Sequence, residues 1–276
     1  DLVRSRGLGD VYKRQTYHCA GHKAHGTITL AEALRQSCNI YYIQLGQRVG
    51  SQTFYNYFDA FGFTSRTGVD LPSETGFMQY YKANQLGEVQ LASSAFGQAM
   101  AITPLQMCTA VAAAVNGGYL VTPHVVDKIT DANGNVIEEI GANVRRQVIS
   151  ESTSNVIRQI MEYEVGAGTG GGKYAYVSGY RIGGKSGTSE QLNMDRRADG
   201  DYKKVASFAA VLPADDPEII VYVMLDDPNN ARTDYSSLLA APVVGNIISE
   251  IAPYLGIAAD GEDRSQTVVT VPNLVG

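Results

Sequence analysis

Lys185-Ser186-Gly187-Thr188 is the stretch where side-chain type and spacing point most directly to chemistry. In an extended strand Ser186 and Thr188 fall on one face with Lys185 beside them. An ammonium flanked by two hydroxyls suits a carboxylate ligand. Gly183 and Gly184, just before it, leave room for another chain or ligand to approach the backbone. Strand alternation also produces such groupings by chance, so this stretch does not decide a function alone. Ser37-Cys38-Asn39 adds a hydroxyl and a carboxamide at a buried-looking corner between two predicted helices, in itself a common polar turn.

Other patterns compete for these residues. Gly179, Gly184, Lys185 and Ser186 satisfy the phosphate-loop spacing G-x4-G-K-S, and the apolar run ending at Asp226 resembles a strand that presents a magnesium-binding aspartate. A phosphate loop must open a helix whose N-terminus holds the anion. Here Gly187-Thr188-Ser189 leads instead into a polar segment rich in Asp and Arg, which argues against a nucleotide hydrolase. Gly166, Gly168 and Gly171 match G-x-G-x-x-G but follow a predicted helix, so they read as a loop. His18, Cys19, His22 and His25 crowd together like zinc ligands. With no second ligand cluster to complete them, they read as a surface loop, and neither metal nor cofactor is expected.

The elements that must position these residues follow from period and capping. Thr29 and Glu32 have capping-box spacing, so a helix starts at Leu30 with Leu30, Ala33 and Leu34 inward. Ser37-Cys38-Asn39 interrupts it, since these side chains compete for backbone hydrogen bonds, and a second helix runs from Ile40 to Val49. Phe54, Tyr57, Phe58 and Phe61 mark a third, closed by Gly62. Thr103-Pro104 opens an alanine-rich helix over 103–116, stopped by Gly117-Gly118. A further helix is predicted over 150–165, a glycine loop over 166–172, strands over 180–190, 205–212 and 218–225, and a closing apolar helix over 238–254.

Composition limits the partners. The 22 basic and 28 acidic residues leave a net charge of −6, and no basic run offsets it, so nucleic acid is not an expected partner. The longest unbroken apolar run, residues 219–225, falls far short of the ~20 residues that span a bilayer. Three cysteines form no Cys-x-x-Cys pair. Residues 1–15 are Arg/Lys-rich without period and are read as a non-native scar; 16–256 form the domain and 257–266 an acidic linker.

Ser37-x-Asn39 together with Lys185-Ser186-Gly187-Thr188 reproduces a penicillin-binding acyltransferase pattern, minus its Ser-x-x-Lys. The segments HGTITLAEALRQSCN, FGQAMAITPLQM with AVNGG, GGKSGTSE, and SFAAVLPADDPEIIVYVMLDDP resemble, in order, the transpeptidase domain of class B penicillin-binding proteins, especially its sporulation group. The resemblance covers residues 16–257, and VPNLVG in 267–276 resembles the opening strand of a PASTA domain. It implies an α/β penicillin-binding/serine β-lactamase-like fold, an antiparallel sheet flanked by helices. It also implies D,D-transpeptidation of peptidoglycan stem peptides through a serine acyl-enzyme, with β-lactams as inhibitors.

No serine here has lysine three residues on. The nucleophile's helix is therefore expected upstream, with this chain an inactive fragment whose parent is anchored on the extracytoplasmic face by an upstream membrane helix. By resemblance Ser37 relays a proton, Asn39 binds the substrate amide, and Lys185 supplies positive charge. Ser186, Gly187 and Thr188 bind the substrate, the Thr188 N–H serving as half of an oxyanion hole. Glu190 replaces a frequent glutamine, changing the charge near the donor subsite. A glycosyltransferase is an expected partner in cell-wall synthesis. Outside the membrane Cys19 and Cys38 could pair as a redox switch, reduced for activity; the alternative is two buried free thiols. A non-catalytic peptidoglycan-binding or scaffolding role is the alternative reading.

Overall fold

The computed structural model describes residues 3–5, 10–12, 15–20, 23–166, 170–191, 194–198, 200–228, 235–260 and 262. Four short strands come first: β1 (Val3–Ser5), β2 (Asp10–Tyr12), β3 (Gln15–Tyr17) and β4 (Gly26–Ile28). β1 pairs with β4, and β2 with β3, both antiparallel. Part of the stretch read as a scar thus lies in backbone pairing, which composition does not encode.

The helical part follows the capping chemistry. α1 (Leu30–Arg35) opens with the Thr29 hydroxyl accepting the Glu32 N–H at 3.3 Å, while the Glu32 carboxylate accepts the Thr29 N–H at 2.7 Å. After the polar break come α2 (Asn39–Val49) and α3 (Ser51–Ala60). Ala33 of α1, Ile40, Tyr41 and Ile43 of α2, and Ala92 form a core cluster with Cys19 and Cys38. α4 (Glu88–Ala95), which the periodicity did not predict, packs on α2 through Leu91 and Ala92. α5 (Pro104–Val115) has Pro104 in its first turn and a Thr103–Gln106 capping box, and it buries Ala110, Ala113 and Val115.

β5 (Tyr119–Thr122) pairs with β8 (Asn143–Gln147), and β6 (Lys128–Thr130) with β7 (Val136–Glu139). α6 (Glu151–Gly166) and a 3-10 turn (Gly171–Ala175) lead into the main sheet. That sheet is antiparallel in the order β11-β10-β9, built from β9 (Gly183–Glu190), β10 (Lys204–Leu212) and β11 (Ile219–Asp226). α7 (Ser236–Tyr254) closes it, burying Ala240, Ala241, Val244, Ile248 and Ala252 with Phe208, Ala210 and Leu212. By length and composition α7 could cross a bilayer, although no unbroken run flagged it; its buried face makes it the core helix of the sheet. Ile257 belongs to the same core and the Asp260 N–H donates to the Gly179 carbonyl at 2.9 Å, so the packed domain runs past the expected boundary at 256. Residues 267–276 lie outside the described residues.

Candidate active site

The corner that carries Ser37 is set by how α1 ends. The Cys38 N–H donates to the Ala33 carbonyl at 2.9 Å and the Ser37 N–H to the Leu34 carbonyl at 3.1 Å, the bond pair of a Schellman stop. That stop needs a left-handed residue, usually glycine, and Ser37 takes it with φ 49°. A β-carbon there costs roughly 1–2 kcal/mol, so the fold holds a strained serine where glycine would be easier. Ser37 is exposed, not buried as the corner's sequence suggested, while Cys38 behind it is fully buried. Asn39 then begins α2, and its Nδ2 donates to the His18 carbonyl at 3.0 Å, fixing the carboxamide against the preceding segment.

Lys185 reaches the corner from β9. Its Nζ donates to Ser37 Oγ at 3.2 Å, to the Ser186 carbonyl at 2.9 Å and to Ser186 Oγ at 3.2 Å. The two motifs that looked related in sequence therefore meet. Thr188 does not join the lysine. Its hydroxyl bonds to Ser236 Oγ at 3.0 Å, and the Ser236 N–H donates back to it at 3.3 Å, at the first residue of α7. Gly187 is exposed between them, and Glu190 lies exposed at the far end with its N–H donating to Gln98 Oε1 at 3.2 Å.

One expectation for this stretch is corrected, and the phosphate-loop pattern already argued against meets the same end. Gly183 and Gly184 leave no room for a ligand. A β-carbon on Gly184 would stand 2.5 Å from Phe208 Cε1, and one on Gly183 2.9 Å from Val211 Cγ2, so the space is filled by β10 and α6. The phosphate-loop reading also fails. Lys185 and Ser186 lie inside β9, opposite Ala209 and Phe208 of β10, and the strand continues to Glu190 with no helix opening.

Sequence reasoning missed Glu164. This residue lies at the end of α6 with no exposure; its Oε1 is 3.6 Å from Lys185 Nζ and accepts from Ser186 Oγ at 3.3 Å and the Ser186 N–H at 3.4 Å. Its Oε2 is buried without a hydrogen-bond partner among the described residues. Burial pushes its carboxyl up from 4.5 to about 7, against the pull of the Lys185 charge and the Ser186 donors. A signal did exist: Ile160, Met161, Glu164 and Val165 share one helical face, and an acid in an apolar stripe is a buried acid. Ser236, buried against Thr188, had no signal in its own segment.

Cys19 and Cys38 lie side by side behind the Ser37 corner. Their Sγ atoms lie 3.6 Å apart, both as thiols, and their mutual hydrogen bond and burial push the Cys19 thiol far up. His18 enters the site through its carbonyl, and His22 lies outside the described residues.

A β-strand bearing Lys-Ser-Gly-Thr, faced by a Ser-x-Asn corner and backed by a long apolar helix, is the architecture of penicillin-binding acyltransferases. The chain belongs to that family: residues 8–249 match the penicillin-binding protein transpeptidase domain. It is 36% identical over 267 residues to the stage V sporulation protein D of Bacillus subtilis, covering 94% of this chain and 40% of that protein. It is 32% identical over 261 residues to the probable peptidoglycan D,D-transpeptidase FtsI of Caulobacter vibrioides, covering 91% and 41%. Penicillin binding protein 3 of Mycobacterium tuberculosis, solved in complex with aztreonam, superposes with a TM-score of 0.80 at 27% identity, over 96% of this chain and 59% of that one. The chain spans about 40% of the length of these curated relatives.

Proposed function

We propose that this chain forms the substrate-facing wall of a peptidoglycan D,D-transpeptidase and acts together with a Ser-x-x-Lys serine that its 276 residues do not contain. The observation that carries this reading is the Lys185 Nζ to Ser37 Oγ bond of 3.2 Å, which joins two motifs separated by 148 positions. In this reading the Lys185 charge draws in the carboxylate of a stem peptide or β-lactam, with Ser186 and Gly187 lining its path. The Thr188 N–H offers an oxyanion donor, Asn39 meets the substrate amide, and Ser37 passes a proton toward the leaving amine. The setting is the extracytoplasmic face of a membrane in a longer, anchored protein. It would work beside a glycosyltransferase that polymerises the glycan, in the sporulation role that the Bacillus subtilis relative's name suggests.

In the same reading, Cys19 and Cys38 form a redox switch. An external disulfide takes up the two electrons and two protons of the thiols, and the new bond, closing a loop worth roughly 3 kcal/mol, pulls on the corner that aims Ser37 and Asn39.

Labelling with fluorescent penicillin tests the function. The 276 residues alone take up no covalent label, whereas a longer polypeptide that supplies Ser-x-x-Lys becomes labelled. Lys185→Ala in that form slows acylation by roughly 100-fold, the loss typical of one preorganised charge, without a large change in melting temperature. Stoichiometric label on the chain alone, or labelling indifferent to Lys185, overturns the assignment. A folded Ser-x-x-Lys form that never labels supports the scaffolding role instead.

A further inference from the structure

At the base of the Ser37 corner, outside the Lys185 network, three metal-ligating side chains converge. Cys19 Sγ and Cys38 Sγ are 3.6 Å apart, and a ring nitrogen of His25 joins them in a cluster whose atoms all lie within 4.8 Å of one another. The cysteines are 5% and 0% exposed. His25 Nδ1 is buried with no hydrogen-bond partner among the described residues. An orphaned buried nitrogen of this kind costs about 1–3 kcal/mol, a cost that an ion bound through Nδ1 would remove.

Two thiolates and an imidazole are a soft donor set of the kind zinc selects. Zn–S bonds of ~2.3 Å meeting at a tetrahedral angle hold two sulfurs ~3.8 Å apart, close to the separation already present. The His25 nitrogen sits at most about 1.3 Å too far from the sulfurs for the same tetrahedron, a shift that a half-buried loop residue can make. In sequence the histidine and cysteine cluster lacked a partner set; α1 turns the chain back so that Cys38 supplies the missing ligand.

We propose that Cys19, Cys38 and His25 bind one Zn2+ ion, with water in the fourth position. Binding balances as the ion plus two thiols giving a dithiolate complex and two protons released to solvent. Because Cys38 stands between Ser37 and Asn39, the ion ties the substrate-facing corner to the 18–25 segment. Ion and disulfide compete for the same sulfurs, so only the reduced pair binds zinc.

The test uses the 276-residue chain, fully reduced with a phosphine, stripped of metal by a chelator and kept under argon. Titration with zinc against a chromophoric chelator is expected to show one ion per chain, a Kd below micromolar and two protons released. Cobalt in place of zinc should give a thiolate-to-metal charge-transfer band that Cys19→Ser removes. Loss of a ligand's supporting partner already weakens metal binding by about 10–100-fold, so His25→Ala should weaken it by at least roughly 100-fold while leaving the circular dichroism spectrum unchanged. No stoichiometric binding by the reduced, folded chain at micromolar zinc overturns the site. So does a His25→Ala protein that binds zinc as tightly as the parent, because the pair would then act without the histidine.

Discussion

Replacing Glu164 with glutamine should change how stability depends on pH, and its size follows from the site. Glu164 has no exposure, and its carboxyl is raised from 4.5 to about 7 when folded, chiefly by burial. Below pH 4.5 the group is protonated in both states, and the neutral carboxyl contributes its full stability. As pH rises from 4.5 toward 7, the unfolded chain releases a proton that the folded chain retains, so each step favours unfolding. Above 7 the folded state also ionises and the loss levels off. The whole change corresponds to about 3 kcal/mol. Glutamine keeps the shape and the hydrogen-bonding reach without the titration. Urea denaturation of both proteins from pH 4 to 8, subtracted one from the other, cancels every other titrating group. The advantage of the parent over Glu164→Gln should fall by about 3 kcal/mol across that window. A difference that stays flat would mean that burial does not shift Glu164, and one that rises with pH would mean that Lys185 holds it ionised; either would refute the reasoning.

Ser37→Gly should stabilise the chain by roughly 1 kcal/mol in urea, because it relieves a β-carbon at a left-handed position, yet it should slow penicillin labelling of a Ser-x-x-Lys-bearing form by removing the hydroxyl that Lys185 contacts; a drop in stability would show that the corner is unstrained. Thiol counting on the denatured chain should find all three cysteines reactive after reduction and Cys108 alone after mild oxidation, with the acylation rate of a Cys19→Ser protein indifferent to reductant. Three reactive thiols after oxidation would remove the switch.

The parts that were legible in sequence are those in which local chemistry and tertiary packing agree. The capping box at Thr29, the N-cap with its following proline at Thr103, and the strands at 204–212 and 219–226 follow from residues within a few positions of each other. α4 was missed because its eight residues, EVQLASSA, are short and small, with only Leu91, Ala92 and Ser94 buried. β6 and β7 were missed for the opposite reason: every residue in both is exposed, so no period of two could appear. At the site, the Ser37 and Lys185 motifs were readable as chemistry, but Gly183 and Gly184 were misread. Their partner, the ring of Phe208, comes from a neighbouring strand, and no pattern in their own segment tells a glycine that admits a ligand from one that admits a ring. Glu164 could be read from its own helix as a buried acid, but its partners, like those of Ser236, come from β9.

The Ser37 to Lys185 bond joins the helical region to the sheet, so its length depends on what holds α1 against α6. Arg35, two residues before Ser37, supplies that hold. Its Nη1 donates to Tyr163 Oη at 2.7 Å, and its guanidinium carbon lies 4.6 Å from the centroid of the same ring, a contact in which hydrogen bond and cation–π attraction act together. Tyr163 is followed directly by Glu164, which touches both Lys185 and Ser186. The path from the strained corner to the strand is therefore Ser37, Arg35, Tyr163, Glu164 and Lys185, closed by the bond back to Ser37. Gly170 completes the fit: a β-carbon there would meet the Glu164 carbonyl at 2.3 Å and Arg35 Cγ at 3.4 Å. In such a ring each contact fixes the spacing of the next, so the geometry of the Ser37 and Lys185 motifs is set by side chains that lie outside both.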